Sequence, residues 1–165
     1  MQRLLSFVLV LLLAGCSATG TRFKDLPSDA FGDKARIVVF RPDSFVAKAK
    51  CFNVLVDGTD IGKLKNGGFM QYWVSPGLHA VTVPVPGGEL HDLIAGQGRV
   101  ETTVDLKAGE TSYVKLTVEL GGSSGYHAPH TIAMSFHHTL TNVSSADAYS
   151  ELADLRQSDQ SYTCL

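Results

Sequence analysis

Four histidines lie within twelve residues near the C-terminal end of this 165-residue chain. They are His127, His130, His137 and His138. Imidazole nitrogens are common ligands of zinc and copper, so a loop and a strand end could supply three of them to one ion. Pro129 separates the first two, and His130 and His137 are about 23 Å apart if the strand is straight. A metal or pH-sensing site therefore requires a chain reversal, and the alternative is four surface histidines.

A serine motif nearby also needs a particular structural context to carry chemistry. Gly121-Gly122-Ser123-Ser124-Gly125 matches G-x-S-x-G, which presents a nucleophilic serine only where a strand precedes it, a helix follows it, and an acid and a histidine come later. Residues 126–130 contain Pro129 and two histidines instead of a helical pattern, and no Asp or Glu lies between Ser123 and His138. The sequence favours a flexible hairpin loop over an esterase site. We predict no catalytic residues, no enzymatic activity and no cofactor.

Three aromatic residues, Phe69, Tyr72 and Trp73, could form a platform for glycan strands. On a β-strand, Phe69 and Trp73 point to one side and Tyr72 to the other. At least one of these sets is therefore predicted to pack in the core. Glycan contact and a protein interface stay open as alternatives for the other set.

The first residues of the chain have the pattern of an export signal. Arg3 gives a positively charged start, and residues 4–13 form an apolar run in which Ser6 is the only polar residue. A helix of ten residues spans about 15 Å, half of a hydrocarbon core of about 30 Å. The run is therefore too short to cross a membrane and predicts a signal peptide over residues 1–15.

The end of this run, Leu13-Ala14-Gly15-Cys16, resembles the lipobox of bacterial lipoproteins. The resemblance implies diacylglycerol on the sulfur of Cys16, cleavage before Cys16, and acylation of its new amino group by a fatty acid such as palmitate. Two or more acyl chains hold a protein stably on a bilayer. Ser17 in the second mature position implies the outer membrane, facing the periplasm. The alternative is a secretory signal followed by an incidental cysteine.

If Cys16 carries lipid, Cys51 and Cys164 are left as a pair in an oxidising compartment, and we predict a disulfide between them. The alternatives are two free thiols or pairing with another protein. The formal net charge is −2, and it becomes −3 without residues 1–15, because Arg3 is their only charged residue. This charge excludes a strongly basic nucleic-acid binder. Residues 16–34 are small, polar and turn-forming, which predicts a flexible spacer after the lipidated cysteine.

From residue 35 onward, β-rich runs alternate with turn signals at short spacing. The predicted strands cover 35–40, 52–56, 59–64, 69–74, 78–83, 100–106, 111–119 and 131–138. This spacing predicts an all-β protein, an antiparallel sandwich of about 7–8 strands over residues 35–140. A short helix over 145–156 follows within the C-terminal segment 141–165, because Ser144 and its neighbours can cap a helix with Tyr149, Leu152 and Leu155 on one face.

Three segments occur in an order that resembles a known family. They are Ala35-Arg36-Ile37-Val38-Val39-Phe40-Arg41-Pro42, then Val54-Leu55-Val56-Asp57-Gly58 with Ile61-Gly62-Lys63-Leu64, then Ser75-Pro76-Gly77-Leu78-His79. Over residues 35–118 they resemble the domain-of-unknown-function 2846 lipoproteins, and the two turn motifs are also similar to PEGA-type surface modules. The resemblance implies an immunoglobulin- or transthyretin-like sandwich and implies no reaction.

In this pattern Asp57, Gly58, Pro76 and Gly77 are structural turn residues, because glycine permits positive φ, and His79 is a half-buried strand residue rather than a ligand. The predicted function is a lipid-anchored, non-enzymatic envelope protein that binds or scaffolds another envelope protein or a cell-wall component. Its expected contact surfaces are sheet edges and end loops, such as 84–98 and 121–130. The alternative is a periplasmic zinc- or copper-binding lipoprotein that uses the histidines of residues 127–138.

Overall fold

The computed structural model describes residues 17–25, 32–85, 98–121 and 136–158. The predicted signal peptide and Cys16 lie outside the described residues. Within them the chain forms nine strands, one α-helix and a 3-10 helix over Phe23–Asp25. The elements are β1 (Ala35–Arg41), β2 (Phe52–Val56), β3 (Thr59–Leu64), β4 (Gly68–Val74), β5 (Gly77–Val85), β6 (Gly98–Leu106), β7 (Thr111–Leu120), β8 (Phe136–Val143), α1 (Ser145–Leu152) and β9 (Arg156–Gln157). Among the described residues no helix is long and apolar enough to cross a membrane.

The strands form two sheets that pack as a sandwich, which confirms the all-β prediction. One sheet has the order β8-β7-β1-β4-β9 and the other the order β3-β2-β5-β6. Residues from both sheets meet in one hydrophobic core, where Ile37 and Val39 of β1 pack with Val54 of β2 and Val81 of β5. The alternation of apolar and polar residues along most strands accounts for this, because one face of each strand is buried and the other is wet.

Strand β1 departs from that alternation because both of its faces are buried. Val38 and Phe40 point away from the sandwich core into a second apolar cluster, which also contains Phe69 of β4 and Leu152 of α1. All four side chains are fully buried. The unbroken apolar run from Ile37 to Phe40 is the sequence signal of a strand covered on both sides.

The pairing of the strands corrects one part of the fold prediction. The sheets are not wholly antiparallel, because β1 pairs with β7 in parallel and β4 pairs with β9 in parallel. The last long strand is described over Phe136–Val143 and extends past the predicted end at 138, since residues as far as Val143 pair with β7; residues 131–135 lie outside the described residues. The sandwich therefore extends three residues beyond the predicted boundary at 140.

The C-terminal helix begins as predicted and ends early. The Ser144 hydroxyl accepts a hydrogen bond from the backbone N–H of Asp147 at 3.2 Å, as expected of an N-cap. The helix ends at Leu152 instead of 156, and the N–H of Leu155 closes a tighter turn on the carbonyl of Leu152 at 2.9 Å. The chain then adds β9 to the edge of β4, which satisfies backbone groups that an edge strand leaves unpaired.

The predicted spacer is docked where the structure describes it. The backbone N–H groups of Ala18 and Phe23 donate to the carbonyls of Asn66 (3.2 Å) and Leu155 (3.0 Å). The Phe23 ring is only 8% exposed and lies 5.2 Å from the Phe69 ring in an edge-to-face arrangement. Over residues 17–25 the prediction of a flexible spacer is therefore wrong, because a single aromatic side chain and backbone pairing fix the segment to the domain.

The sandwich has two ends, the Asn66 end and the His79 end. In the β1–β4 ladder Arg41 pairs with Gly68 at one end and Ala35 with Val74 at the other. The first is the Asn66 end, with the loop 42–51 and the turn 65–67. The second is the His79 end, with the turns 57–58, 75–76 and 107–110.

We expect Phe23→Ala to lower the free energy of unfolding by about 3 kcal/mol, because it removes a buried ring and leaves a cavity. Urea denaturation of the otherwise unchanged chain measures this effect. Phe45→Ala is the matched control, since Phe45 is 93% exposed and its loss should change stability by less than about 0.5 kcal/mol. Equal effects of the two substitutions would show that residues 17–25 are not part of the folded unit.

Candidate functional site

The two turn motifs of the sequence lie side by side at the His79 end. Asp57 and Gly58 have φ values of 50° and 78°, and they join β2 to β3 with Val56 opposite Thr59. Positive φ at both central positions is the geometry of a tight hairpin turn, which Asp and Gly tolerate. This confirms the predicted hairpin.

The second turn brings His79 to the first. Gly77 begins β5 with a φ of 137°, a value that favours glycine. Strand β5 then runs antiparallel to β2, with Val56 opposite Val81, and the N–H of Asp57 donates to the carbonyl of Ala80 at 2.9 Å. This pairing places the His79 side chain beside the Asp57 carboxylate.

The imidazole of His79 is held at both nitrogens. Nδ1 lies 2.7 Å from Oδ2 of Asp57, and Nε2 lies 2.7 Å from the carbonyl oxygen of Ser75. A carbonyl and an ionised carboxylate can only accept hydrogen bonds, so both ring nitrogens must donate, as they do in the imidazolium form. The other carboxylate oxygen of Asp57 accepts the N–H of Ala80 at 2.9 Å. The pair therefore ties the two turns together through charge-assisted hydrogen bonds.

These contacts shift both titrations in the expected directions. The hydrogen bond to Asp57 raises the pKa of His79 above its usual 6.5, against an opposing effect of burial. The hydrogen bonds from His79 and from the Ala80 N–H lower the pKa of Asp57 below its usual 3.8. The His79 side chain is 11% exposed and that of Asp57 is 50% exposed. The pair is therefore a half-buried ion pair at the surface.

A groove of about 370 Å³ opens beside this pair, at the low end of the range for small-molecule sites. Among the residues that line it are Lys34, Asp57, Tyr72, Trp73, Pro76 and His79. It offers charged groups of both signs next to an aromatic side chain. Such a lining suits a polar ligand or a peptide side chain.

The aromatic residues divide as the strand geometry predicts. Phe69 is fully buried, while Trp73 on the same face of β4 is 38% exposed. Tyr72 points to the opposite face and packs against the sandwich core. Tyr72 and Trp73 both line the groove, but they project from opposite faces of β4 and Phe69 is buried, so the three rings do not form one continuous platform.

The histidine cluster is described only in part. His127 and His130 lie outside the described residues, as does Ser123. His137 and His138 project from opposite faces of β8: His137 is exposed, whereas the ring of His138 lies 5.3 Å from that of Phe52. Burial lowers the pKa of His138, and the charges of Lys50 and Arg41 lower it further. Adjacent positions on one strand therefore do not bring these two imidazoles to one ion.

The other predicted sites lie largely outside the described residues. Cys16 and Cys164 lie outside the described residues, and Cys51 is half-buried just before β2. Of the loops expected to contact partners, the structure describes only the margins of 84–98 and 121–130. Within the described ranges, no group of three or more His, Cys, Asp or Glu side chains is placed to hold a metal ion.

The comparisons with known proteins give one match. A family model described as "Protein of unknown function (DUF2846)" matches residues 32–128. This range contains β1 to β7 and both turn motifs of the candidate site. Searches of curated proteins and of solved structures found no match.

We expect Asp57→Asn to lower the pKa of His79 toward 6.5, because the amide removes the negative charge while Asn still tolerates the positive φ of the turn. An NMR titration of the His79 ring measures the change. Asp60→Asn is the matched control, since Asp60 lies in the same hairpin and accepts only the N–H of Gly62. An unchanged His79 pKa in Asp57→Asn would show that the pair does not form.

The same pair predicts a pH dependence of stability. The raised His79 pKa contributes stability that is fully present below about pH 6.5 and is lost as the pH rises through the folded-state pKa. The lowered Asp57 pKa contributes stability that is present above about pH 4 and is lost in acid. The stability difference between the parent protein and His79→Gln should therefore be largest between these values and stay below about 1 kcal/mol, because Asp57 is half exposed. Urea denaturation at pH 5.5 and pH 8.5 tests this, and a difference that grows at pH 8.5 would contradict it.

Proposed function

The chain belongs to the DUF2846 family, whose description assigns no activity, and we propose that it is a lipid-anchored, non-enzymatic envelope protein whose β-sandwich binds or scaffolds another envelope component. In this proposal Cys16 carries the lipid. The His79 end carries the contact surface. The protein faces the periplasm from the outer membrane.

The observation that carries the anchor is the sequence Leu13-Ala14-Gly15-Cys16 at the end of a ten-residue apolar run. A thiolate is the nucleophile that can be alkylated to a stable thioether. The structure adds that the very next residue, Ser17, pairs with Asn66. A folded domain therefore begins immediately after the proposed site of acylation.

The groove at the His79 end supports the binding role. It lies at the opposite end of the sandwich from Asn66, so a partner could reach it without competing with the bilayer. Trp73 lines the groove and is 38% exposed, and tryptophan is frequent among residues that dominate protein contacts. The turn that carries Pro76 and Gly77 is held in place by His79, so the rim is organised before any partner arrives.

We also propose the disulfide between Cys51 and Cys164. In the β2–β3 ladder Phe52 lies opposite Leu64, and the next backbone N–H, that of Lys65, donates to the hydroxyl of Ser158 at 3.2 Å. Cys164 lies six positions after Ser158, a stretch of chain that can span up to about 20 Å. Such a bridge would stabilise the fold by about 4–5 kcal/mol, less any strain.

To test the anchor, cells expressing the full chain are fed an alkyne-tagged fatty acid. We expect the protein to be labelled and Cys16→Ala to lose all of the label, because it removes the thiol that starts acylation. Cys51→Ala is the matched cysteine control and should keep the label. Equal labelling of the two variants would contradict lipidation at Cys16.

To test the disulfide, the protein is digested without reduction and its peptides are mapped by mass spectrometry. We expect one linked pair that contains Cys51 and Cys164 and that separates after reduction. A link between Cys16 and Cys51 would overturn both the disulfide and the lipid anchor, because Ser17 also lies beside the 65–67 turn and a sulfur in a disulfide cannot carry diacylglycerol.

To test the contact surface, a photo-crosslinking amino acid replaces Trp73 in intact cells. We expect it to capture a discrete envelope species, because the groove faces away from the membrane. The same amino acid at Glu119, an exposed position on β7 near the Asn66 end, is the control and should not capture that species. Identical products from both positions would count against the groove as the contact surface.

A further inference from the structure

The loop over residues 42–51 presents an apolar side chain and two cations at the Asn66 end. Phe45 is 93% exposed, the highest value of any large apolar side chain among the described residues. Lys48 and Lys50 follow it and are also exposed. An isolated exposed apolar residue is ordinary, so the case depends on how this loop is held and what lies beside it.

The loop is held in one conformation by a buried cation. Arg41 is 1% exposed, and its guanidinium donates to the carbonyls of Lys50 (2.7 Å), Ala47 (2.8 Å) and Val46 (3.1 Å). Its Cζ also lies 5.1 Å from the centre of the Phe52 ring. Three hydrogen bonds from one rigid planar group fix the backbone around Phe45. The Phe45 ring therefore projects into solvent from an ordered loop.

Asn66 joins this loop to the start of the described chain. Its side-chain oxygen accepts the N–H of Ser44 at 3.1 Å, and its amide nitrogen donates to the carboxylate of Asp43. Its backbone carbonyl accepts the N–H of Ala18 at 3.2 Å. Because Cys16 directly precedes Ser17, its Cα lies about 3.8 Å from the Cα of Ser17. Acyl chains on Cys16 would therefore enter a bilayer beside Phe45.

We propose that the loop over residues 42–51 is a membrane-contact surface that rests on the phospholipid bilayer in which the Cys16 lipid is embedded. This inference rests on the proposed lipid anchor. Phe45 enters the boundary between headgroups and acyl chains, as apolar side chains of interfacial segments do. Lys48 faces the lipid phosphates, which attract basic residues close to the surface, while the Lys50 ammonium lies 5.2 Å from the centre of the Phe136 ring and adds positive charge beside it. The bilayer thus receives a second, protein-made contact besides the acyl chains.

The experiment reads depth in the bilayer with tryptophan fluorescence in the full, acylated chain. Trp73 is the only tryptophan, so Trp73→Phe gives a silent background, into which Phe45→Trp is introduced. The protein is reconstituted in phosphatidylglycerol-containing vesicles with lipids brominated on their acyl chains. We expect at least threefold stronger quenching and a blue-shifted emission for Phe45→Trp than for Leu78→Trp, which carries its probe at the His79 end.

Charge reversal supplies the second measurement. Lys48→Glu should reduce the quenching of the Phe45→Trp probe at least twofold in phosphatidylglycerol vesicles, because it repels the anionic surface. Lys107→Glu, in the exposed turn at the His79 end, is the matched control and should leave the quenching unchanged.

Mass spectrometry of the same samples separates the two proposals. If Cys16 carries its acyl groups and both tryptophan probes are quenched equally, the membrane-contact surface is wrong and the anchor stands. If Cys16 carries no acyl groups, the proposed anchor fails and the inference that rests on it is overturned with it.

Discussion

The fold depends on the burial of β1 on both faces. One face closes the sandwich core through Ile37 and Val39, and the other places Val38 and Phe40 under a separate apolar cluster. A two-sheet sandwich alone covers only the first face, so a further layer is required. That layer comes from the two ends of the described chain: Phe23 from the N-terminal segment, and α1 with Leu155 from the C-terminal segment. The segments outside the family match are thus structural parts of this domain.

Local features of the sequence predicted most of the strands, the Asp57-Gly58 hairpin and the Ser144 cap, because alternation, turn residues and caps act over a few neighbours. The parallel pairings of β7 with β1 and of β9 with β4 were not predicted, since they join residues far apart in the chain. The docking of residues 17–25 was also missed. Phe23 is a single apolar residue among polar ones, and no periodicity distinguishes a docked segment of this kind from a spacer.

In the candidate site, too, the local features could be predicted from the sequence and the long-range contacts could not. Asp57 and Pro76 lie in turns, as the motifs predict, and Gly77 begins β5 directly after its turn with a positive φ. Their contact through His79 depends on the antiparallel pairing of β2 with β5, which no local pattern encodes. The only hint of the Asp57–His79 contact in the sequence is that one turn motif contains an acid and the other a histidine. His137 and His138 are adjacent on a strand, so their side chains point to opposite faces. This separation could be predicted from the sequence, just as the four-histidine cluster could. The sequence gives no signal for the role of Arg41, because its guanidinium binds backbone carbonyls, which every residue type carries.

The docked N-terminal segment determines how the proposed anchor would act. A flexible spacer over residues 16–34 would let the domain move tens of ångströms from the bilayer, since an extended chain spans about 3.5 Å per residue. With Ser17 paired to Asn66, the residue proposed to carry the lipid is a single peptide unit from the folded domain. The height of the groove above the membrane would then be set by the strands that connect the two ends. Strand β4 has seven residues and spans about 23 Å. Because no flexible linker separates Cys16 from the paired Ser17, a partner at the His79 end would have to bind the domain at about that distance from the bilayer surface.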